Sequence, residues 1–311
     1  MKNFGKIRVS VVVTVFNEES SILNLIKSLN TQSQKPYEIV IVDGGSTDKT
    51  FETLTKSQIK ILKIYQKIGN RSVGRNYGVS QSHGQIIAFT DAGCQPHSDW
   101  LENLIKPFIG KSTTVVSGYY QGVTENIFQK CLIPYVLVMP DKAEKTEFYP
   151  ATRSMAIRKS IFNSSGGFNE SLSHNEDYAY AHKLKSMGYS FTFAKEAIVD
   201  WFPRKNLKQA AWMFTRFAIG DIQAGIVRPQ LKPLAIRYLI FTYLIFLIPY
   251  FPIIIFLILL LTICYLFYAI YKNYRYVKDL HAFFLLPVIQ ITCDLSILFG
   301  SLVGYLSKIW T

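Results

Sequence analysis

The 311-residue sequence contains only four cysteines, and they are scattered without the spacing of metal ligands. Cys264 and Cys293 lie in apolar stretches, so we expect a reducing compartment rather than a disulfide framework. The N-terminus lacks the small-residue cleavage site of a secretory signal and runs directly into a strand pattern. Residues 1–230 are therefore expected in the cytoplasm. There is no internal repeat, and the length fits one large domain or two smaller ones.

Acidic residues are scarce relative to basic ones, since 21 aspartates and glutamates face 34 lysines and arginines. The formal net charge of +13 favours phosphate-rich ligands, nucleic acid or an anionic membrane surface as partners. Composition alone leaves these three classes open.

No charged residue occurs between Tyr238 and Tyr271. A bilayer crossing takes about 20 apolar residues, so this stretch is too long for one upright helix and short for two. Pro249 and Pro252 interrupt its middle. The basic residues that flank it on both sides are Lys232, Arg237, Lys272, Arg275 and Lys278. The positive-inside tendency then predicts a tight or re-entrant hairpin with both ends in the cytoplasm, which argues against nucleic acid as the partner.

A second apolar stretch runs from Ala282 to Leu306 and is interrupted by Gln290 and Asp294. An acid at the middle of a bilayer is costly, so this segment either crosses the membrane or lies in the interface. Both alternatives stay open. We expect residues 226–311 to form an all-α region of juxtamembrane and transmembrane or interfacial helices.

Short β-branched or apolar runs alternate with helical patterns in the first third of the chain. The predicted strands are Val9–Val15, Glu38–Val42, Ile59–Tyr65 and Ile86–Thr90. Asn17 is expected to cap the first helix, with the glutamates that follow it at the positive end of the helix dipole. Steady alternation of strand and helix predicts βαβ units and a mostly parallel sheet.

Two acids follow predicted strands directly, and carboxyl ends of parallel strands are where ligands bind in open α/β sheets. Asp43 can accept hydrogen bonds from a ribose or a base N–H, and Asp91 suits a hard divalent cation that bridges phosphates. Each is also compatible with an ordinary turn. The glycine-rich segment 69–78 carries Arg71 and Arg75, lacks the ending of a P-loop, and suits either pyrophosphate or solvent.

Four segments in order carry a resemblance to a known family: VSVVVTVFNEE, IVIVDGGSTD, GRN and IIAFTDAGC. Together they resemble family 2 glycosyltransferases of the GT-A fold, over roughly residues 8–225. The resemblance implies a GT-A, Rossmann-like α/β domain at 1–225 that binds a nucleotide-sugar, with Asp43 on the base. The predicted donor-binding residues are Asn17, Glu18, Asp43, Arg75, Asp91, Arg153, Arg204 and Arg216.

By the same resemblance, Asp91 is the first acid of the Asp-X-Asp metal motif of the family. The third position is Gly93, so the chain resembles a subgroup with Asp-Ala-Gly-Cys and has one carboxylate fewer for Mg²⁺ or Mn²⁺. Mg²⁺ needs few protein ligands, so one carboxylate and the diphosphate can suffice. The family often has a further histidine ligand where this chain has Asp200 and Trp201, and Asp200 is a predicted ligand.

Glu176 and Asp177 open a predicted helix that ends at Gly188, where acids are stabilising with or without a catalytic role. They match the Glu-Asp motif of the family, whose Asp is the general base. We expect the helix dipole to keep Asp177 ionised. A later segment, Leu207–Gly220, has the pattern of an amphipathic, aromatic-rich helix. This segment lies at a membrane surface, or Arg216 on it and Arg204 just before it close over the diphosphate, or both.

The sequence therefore predicts an inverting, hexosyltransferase-type enzyme of polysaccharide biosynthesis, anchored in the cell membrane with a cytoplasmic catalytic domain. Its acceptor is expected near the membrane, as a lipid carrier or a growing glycan. The alternative is a non-catalytic membrane subunit that binds nucleotide as a scaffold for glycan assembly, which the missing second Asp favours and the Glu-Asp pair opposes. Neither sugar, nucleotide nor oligomeric state follows from the sequence.

Overall fold

The computed structural model describes residues 7–109, 112–143 and 148–309. Contacts between elements divide the chain into two units. The first comprises Met1–Val123 and Met139–Phe202, and the second comprises Thr124–Val138 and Pro203–Thr311. The domain boundary that the sequence predicted, between residues 225 and 226, falls inside the second unit. The division into a catalytic and a membrane part stays a prediction.

The first unit contains the strands and most of the shorter helices. The strands are β1 (Val9–Val15), β2 (Glu38–Asp43), β3 (Leu62–Gln66), β4 (Ile86–Phe89), β5 (Cys94–Pro96), β6 (Val115–Gly122), β7 (Met155–Arg158) and β8 (Phe191–Trp201). The α-helices are α1 (Ile22–Asn30), α2 (Thr50–Thr55), α3 (Arg71–Gln81), α4 (Trp100–Ile105), α6 (Pro140–Ala143), α7 (Lys159–Ser164) and α8 (Glu176–Ser186). A 3₁₀ turn, Lys106–Ile109, follows α4.

Within the described residues, the eight strands form one sheet in the order β3-β2-β1-β4-β7-β6-β8-β5. The pairs β1–β2, β2–β3, β1–β4 and β6–β8 are parallel, and the other three are antiparallel. The predicted α/β fold with a mostly parallel sheet is confirmed. Since β1 leads to β2 on one side and has β4 on the other, the strand order reverses at β1, which is where open α/β sheets form their ligand crevice.

Apolar side chains from both faces of the central strands make the core of this unit. All six residues of β2 and all four of β4 are buried, as expected for strands covered on both faces. Phe89 packs edge-on against Phe168, and Tyr180 of α8 packs on the same ring. The core therefore joins α8 to the strand that precedes Asp91.

The second unit contains α5 (Ile127–Val136), α9 (Leu207–Gln223), α10 (Leu231–Leu247), α11 (Ile254–Val277) and α12 (Ala282–Ile309). Its α10 and α11 are separated at residues 248–253, where the proline pair predicted a break. Two described helices, α11 and α12, are long and apolar enough to cross a membrane. The all-α C-terminal region is confirmed.

Candidate active site

Asp43 lies at the carboxyl end of β2 and is fully buried. Its Oδ1 accepts hydrogen bonds from the backbone N–H of Gly45 at 2.8 Å and of Ser46 at 2.9 Å. Gly45 has φ +100°, a conformation that glycine adopts without strain and that turns its N–H back to the acid. Oδ2 is buried and has no partner in the structure as described. Asp43 is therefore held in place with one acceptor oxygen still available.

Asn17 links the loop after β1 to the loop after β2. Its backbone N–H donates to Ser46 Oγ at 2.9 Å, and its Oδ1 accepts from Thr47 N–H at 2.8 Å. Asn17 has a left-handed φ of 55°, and α1 begins only at Ile22, so the predicted helix cap is wrong. The reason is that its amide oxygen bonds the neighbouring loop instead of the helix N-terminus.

Glu18 also belongs to this junction rather than to the first turn of α1. Its backbone N–H donates to Thr50 Oγ1 at 2.7 Å, and its carboxylate accepts from Ser21 Oγ at 2.6 Å. Predicted donor-binding residues at the ends of β1 and β2 are thus joined in one loop assembly.

Arg75, on α3, holds two distant acids together. Its Nη2 donates to Asp91 Oδ1 at 2.9 Å, and its Nη1 donates to Glu176 Oε1 at 2.5 Å. The side chains of Arg75 and Glu176 are each 3% exposed, whereas that of Asp91 is 34% exposed. Arg75 was predicted to bind pyrophosphate, and its burial argues against that role: its guanidinium lies between the two acids and positions them.

The arginines around Asp91 set its charge. Burial raises the pKa of Asp91, but the positive charges of Arg75, Arg153 and Arg71 outweigh that effect and bring the pKa below its usual range. Asp91 is therefore a carboxylate at neutral pH. Arg71 is the exposed first residue of α3 and lies four residues before Arg75. The four-residue spacing of the two arginines was the signal that they share a helix face.

Arg153 lies between aromatic rings in a segment that is anchored to the sheet. Its guanidinium carbon is 5.1 Å from the ring centre of Tyr120 and 5.0 Å from that of Trp201. The next residue, Ser154, accepts a hydrogen bond from Trp100 Nε1 and donates to the carbonyl of Ala197. These aromatic partners were not predictable from local sequence, because they come from two separate strands, β6 and β8.

Asp177 opens α8 beside this segment, and its Oδ2 accepts from Thr152 N–H at 3.3 Å. Burial raises the pKa of Asp177, and so does the negative charge of Glu176, against the opposing charges of Arg75 and Arg153. Burial and the adjacent acid thus act against the helix dipole, and the expectation that Asp177 is ionised stays a prediction. A carboxylate whose pKa is raised is a stronger base once it is deprotonated.

A divalent cation fits this site only in a restricted way. Asp91 offers a carboxylate oxygen that Arg75 does not use, but the chain as described contains no group of three or more histidines, cysteines, aspartates or glutamates arranged to hold a metal ion. A Cβ at Gly93 would meet open space, so nothing replaces the missing acid of the motif. Mg²⁺ or Mn²⁺ would therefore be held by Asp91 together with phosphate oxygens and water.

Asp200 has partners other than the acids above, which argues against its prediction as a metal ligand. Neighbouring residues of a strand point to opposite faces, and the next residue, Trp201, packs on Arg153. Asp200 instead accepts hydrogen bonds from Gln121 Nε2 at 2.8 Å and pairs with His97 Nε2 at 3.1 Å. It lines a separate polar hollow of about 430 Å³ with Lys27 and Gln95.

Arg204 and Arg216 belong to the second unit, so their predicted contact with the diphosphate stays a prediction. Within that unit, the guanidinium carbon of Arg216 lies 4.8 Å from the ring centre of Trp212 on α9.

Residues 10–165 match glycosyl transferase family 2. Among similar proteins is the glycosyltransferase AglE of Haloferax volcanii, 25% identical over 70% of this chain and 74% of its own length. The succinoglycan biosynthesis protein ExoA of Rhizobium meliloti is 25% identical over 68% of each chain. A cholesterol galactosyltransferase of Borreliella burgdorferi is 27% identical over 50% of this chain and 42% of its own.

Two solved structures show the same fold. A mannosyltransferase from Pyrobaculum calidifontis, in complex with GDP-mannose and Mn²⁺, has a TM-score of 0.56 and 21% identity over 70% of this chain and 63% of its own. Residues 1–349 of TarS from S. aureus, in complex with UDP-GlcNAc, have a TM-score of 0.51 and 21% identity over 68% of this chain and 66% of their own. The chain thus spans less than two thirds of the mannosyltransferase chain. The fold of the first unit is GT-A.

Proposed function

The chain belongs to glycosyl transferase family 2, and from that premise we propose that it is an inverting, hexosyltransferase-type enzyme. It moves a sugar from a nucleotide-sugar to an acceptor at a membrane surface. The observation that carries the proposal is the Arg75 bridge, which brings Asp91 and the Glu176–Asp177 pair to one site from segments about 85 residues apart along the chain.

The donor occupies the crevice at the carboxyl ends of β1, β2 and β4. Asp43 accepts a hydrogen bond from the base through its unpaired oxygen, and the loop held by Asn17 and Glu18 supports that contact. Arg71 and Arg153 supply positive charge for the departing diphosphate, because both act on the adjacent Asp91. Fixed charges of this kind stabilise the leaving group as its negative charge develops.

Asp177 acts on the acceptor. As the acceptor oxygen bonds to the anomeric carbon and the bond to the diphosphate breaks, the hydroxyl proton passes to the carboxylate of Asp177. A positioned base of this kind contributes about 10²–10⁴-fold to rate. A single displacement without a protein nucleophile inverts the anomeric centre. Glu176 contributes by holding Arg75 and by raising the pKa of the neighbouring base.

A divalent cation bound at Asp91 would supply further positive charge to the diphosphate when it is present. The mannosyltransferase with the same fold was solved with Mn²⁺, which supports Mg²⁺ or Mn²⁺ as the cofactor here. Its protein ligand is Asp91 alone, since Asp200 points elsewhere.

We propose a lipid carrier or a growing glycan as the acceptor. The apolar helices of the second unit support a membrane location, and relatives are named for succinoglycan biosynthesis and for galactosyl transfer to cholesterol. The GT-A domain at 1–225 faces the cytoplasm and residues 226–311 anchor it in the cell membrane. Donors found with the same fold, GDP-mannose and UDP-GlcNAc, give the first sugars to test.

The second candidate is a non-catalytic subunit that binds nucleotide within a glycan-assembly complex. Gly93 in place of an acid favours it. The Arg75 bridge and the raised pKa of Asp177 favour catalysis, because a scaffold needs neither.

Replacing Asp177 by Asn in the full-length protein separates the two. After a thermal-shift screen identifies the donor nucleotide, sugar transfer and nucleotide affinity are measured on the same membranes. We expect transfer to fall by about 10²–10⁴-fold while nucleotide affinity holds. Asp99→Asn, an exposed acid before α4, is the matched control and leaves transfer intact. Unchanged transfer in Asp177→Asn overturns the base, and nucleotide binding without transfer in the wild type supports the scaffold.

A further inference from the structure

The helical unit contains a buried acid whose partners come from three helices. Asp294, on α12, has a side chain that is 6% exposed. It accepts hydrogen bonds from Arg237 Nη2 at 3.0 Å, from Tyr238 Oη at 3.2 Å and from Gln290 Nε2 at 2.9 Å, and Tyr265 Oη bonds the same acid. Arg237 and Tyr238 belong to α10 and Tyr265 to α11, so this polar cluster holds the three helices at one level.

That cluster fixes the depth of α10 relative to α12. Asp294 lies 12 residues after the start of α12, which is about 18 Å along the helix and near the middle of a bilayer about 30 Å thick if α12 crosses. Arg237 would be carried to the same depth, and Lys232 lies only about 7.5 Å away along α10. Two basic side chains and an acid within the hydrocarbon make such a crossing costly.

One face of the second half of α12 is covered by protein, whereas the opposite face keeps Phe299 and Leu302 exposed. A Cβ at Gly300 would lie 2.4 Å from the carbonyl oxygen of Thr215, and one at Gly304 would lie 2.9 Å from Ile222 Cβ. Thr215 and Ile222 are on α9. The backbones of α9 and α12 therefore approach each other closely along this half of α12. Next to these contacts, α9 carries Arg216 and also Asp221, whose carboxylate accepts from Arg228 Nε at 2.5 Å. A crossing α12 would draw these charges into lipid.

The helices α10 and α11 offer the larger apolar surface to lipid, since 11% of the apolar window of α11 is buried against 39% of that of α12. Large apolar side chains there are strongly exposed, among them Phe246, Tyr250 and Phe256. Arg237 is the last charged residue before the turn between α10 and α11, which contains Tyr250. The 13 residues from Arg237 to Tyr250 span about 20 Å if they are helical throughout. This passes the middle of the bilayer and stops short of its far surface, and the longer α11 fits by tilting.

We propose that the helical unit enters the membrane from one side only. The hairpin of α10 and α11 penetrates the lipid to its tip near Tyr250, and α12 lies at the surface of the same leaflet without crossing. The partner of the exposed hairpin is the bilayer interior, and the basic residues Lys232, Lys272 and Lys278 meet anionic head groups at the entry surface.

Labelling of single cysteines in oriented membrane vesicles tests this topology. The background is the full chain with Cys264→Ser, since the other three cysteines are buried. Leu280→Cys and Lys308→Cys flank α12, Tyr250→Cys marks the tip, and Lys56→Cys marks the first unit; all four positions are exposed. The probe is a membrane-impermeant maleimide applied to vesicles of each orientation, with and without detergent.

We expect residues 56, 280 and 308 to react in the same orientation and residue 250 to react only after detergent. Reaction of residues 280 and 308 in opposite orientations shows that α12 crosses and overturns the proposal. So does protection of residue 308 until detergent is added, or reaction of residue 250 from the far side. Each variant is first shown to remain in the membrane fraction and to keep the melting temperature of the background, so that unfolding does not mimic exposure.

Discussion

Asp91 and Asp177 face the same arginines and respond to them in opposite ways. Arg75 and Arg153 bring the pKa of Asp91 below its usual range, whereas burial and Glu176 raise the pKa of Asp177. The difference arises because the two terminal nitrogens of Arg75 donate to Asp91 and to Glu176, and neither of these hydrogen bonds goes to Asp177. One acid therefore stays charged for phosphate or cation chemistry, and the other is tuned to exchange a proton.

The raised pKa of Asp177 predicts the acidic limb of the pH–rate profile. Since the base must be deprotonated, transfer rises as the pH rises through a pKa above the ordinary aspartate range. Glu176→Gln removes the adjacent negative charge and frees Arg75 to act on Asp177, so both effects lower that pKa. We expect the acidic limb to move to lower pH, as measured by kcat/KM from about pH 4 upward, which covers pKa values above the ordinary aspartate range.

Glu170→Gln is the matched control for this shift. Glu170 is an exposed acid that accepts a hydrogen bond from Asn76 and is not among the main influences on the pKa of Asp177. Its pH–rate profile should coincide with that of the wild type. A limb that stays in place in Glu176→Gln contradicts the assignment of the limb to Asp177.

The metal site at Asp91 can be tested by adding a second acid at position 93. A side chain there meets open space, and its backbone is outside the left-handed region, so Gly93→Asp places a second acid two residues after Asp91 without strain. In the presence of nucleoside diphosphate, we expect Gly93→Asp to bind Mn²⁺ more tightly than the wild type does, as measured by calorimetry. Gly93→Asn adds the same bulk without the charge and should bind Mn²⁺ like the wild type. Equal Mn²⁺ affinity in all three proteins would mean that the metal does not bind next to Asp91.

Among the helices and strands, those marked by a short local pattern were predictable from the sequence. The buried runs that end at Asp43 and near Asp91 predicted β2 and β4, because an apolar run closed by a polar turn is a local signal. The Arg75–Glu176 bond was not predictable, since it joins residues 101 positions apart. Neither was the length of β8, which continues through charged residues to Trp201 because it pairs with β6 and β5.

Close packing of α3 on the sheet is what places Arg75. A Cβ at Gly78 would lie 2.6 Å from Val12 Cγ1 and 3.2 Å from Val42 Cγ2. Gly78→Ala therefore overpacks this contact and should destabilise the protein by about 1–3 kcal/mol, partly offset by the higher helix propensity of alanine. Thermal unfolding measures the loss. Ser80→Ala, at an exposed position of the same helix, is the control. An equal loss of stability in both variants would contradict the packing argument.

The pair of Arg237 and Asp294 should be coupled in the helical unit. Removing one partner leaves the charge of the other without its counter-charge, whereas replacing both removes the two charges together. We expect Arg237→Met and Asp294→Leu each to lower the melting temperature in detergent more than the double variant does. Additive losses across the four proteins would mean that the 3.0 Å contact is not energetically coupled.

At the scale of the whole molecule, the order of a catalytic α/β part followed by apolar helices was predictable from composition and motifs. The assignment of residues 124–138 to the helical unit was not. It depends on contacts such as the Tyr135 hydroxyl donating to the carbonyl of Leu286, which join segments 151 residues apart. Segments of this kind carry no local sign of the partner that they pack against.

The central claim is a single displacement in which Asp177 is the only base and no protein group bonds to the sugar. The most direct measurement is the anomeric configuration of the sugar released when the purified protein hydrolyses its nucleotide-sugar, followed by NMR from the first minutes. It requires no knowledge of the acceptor, since water takes its place. We predict that an α-linked donor yields the β-sugar first; first appearance of the α-sugar would contradict the account.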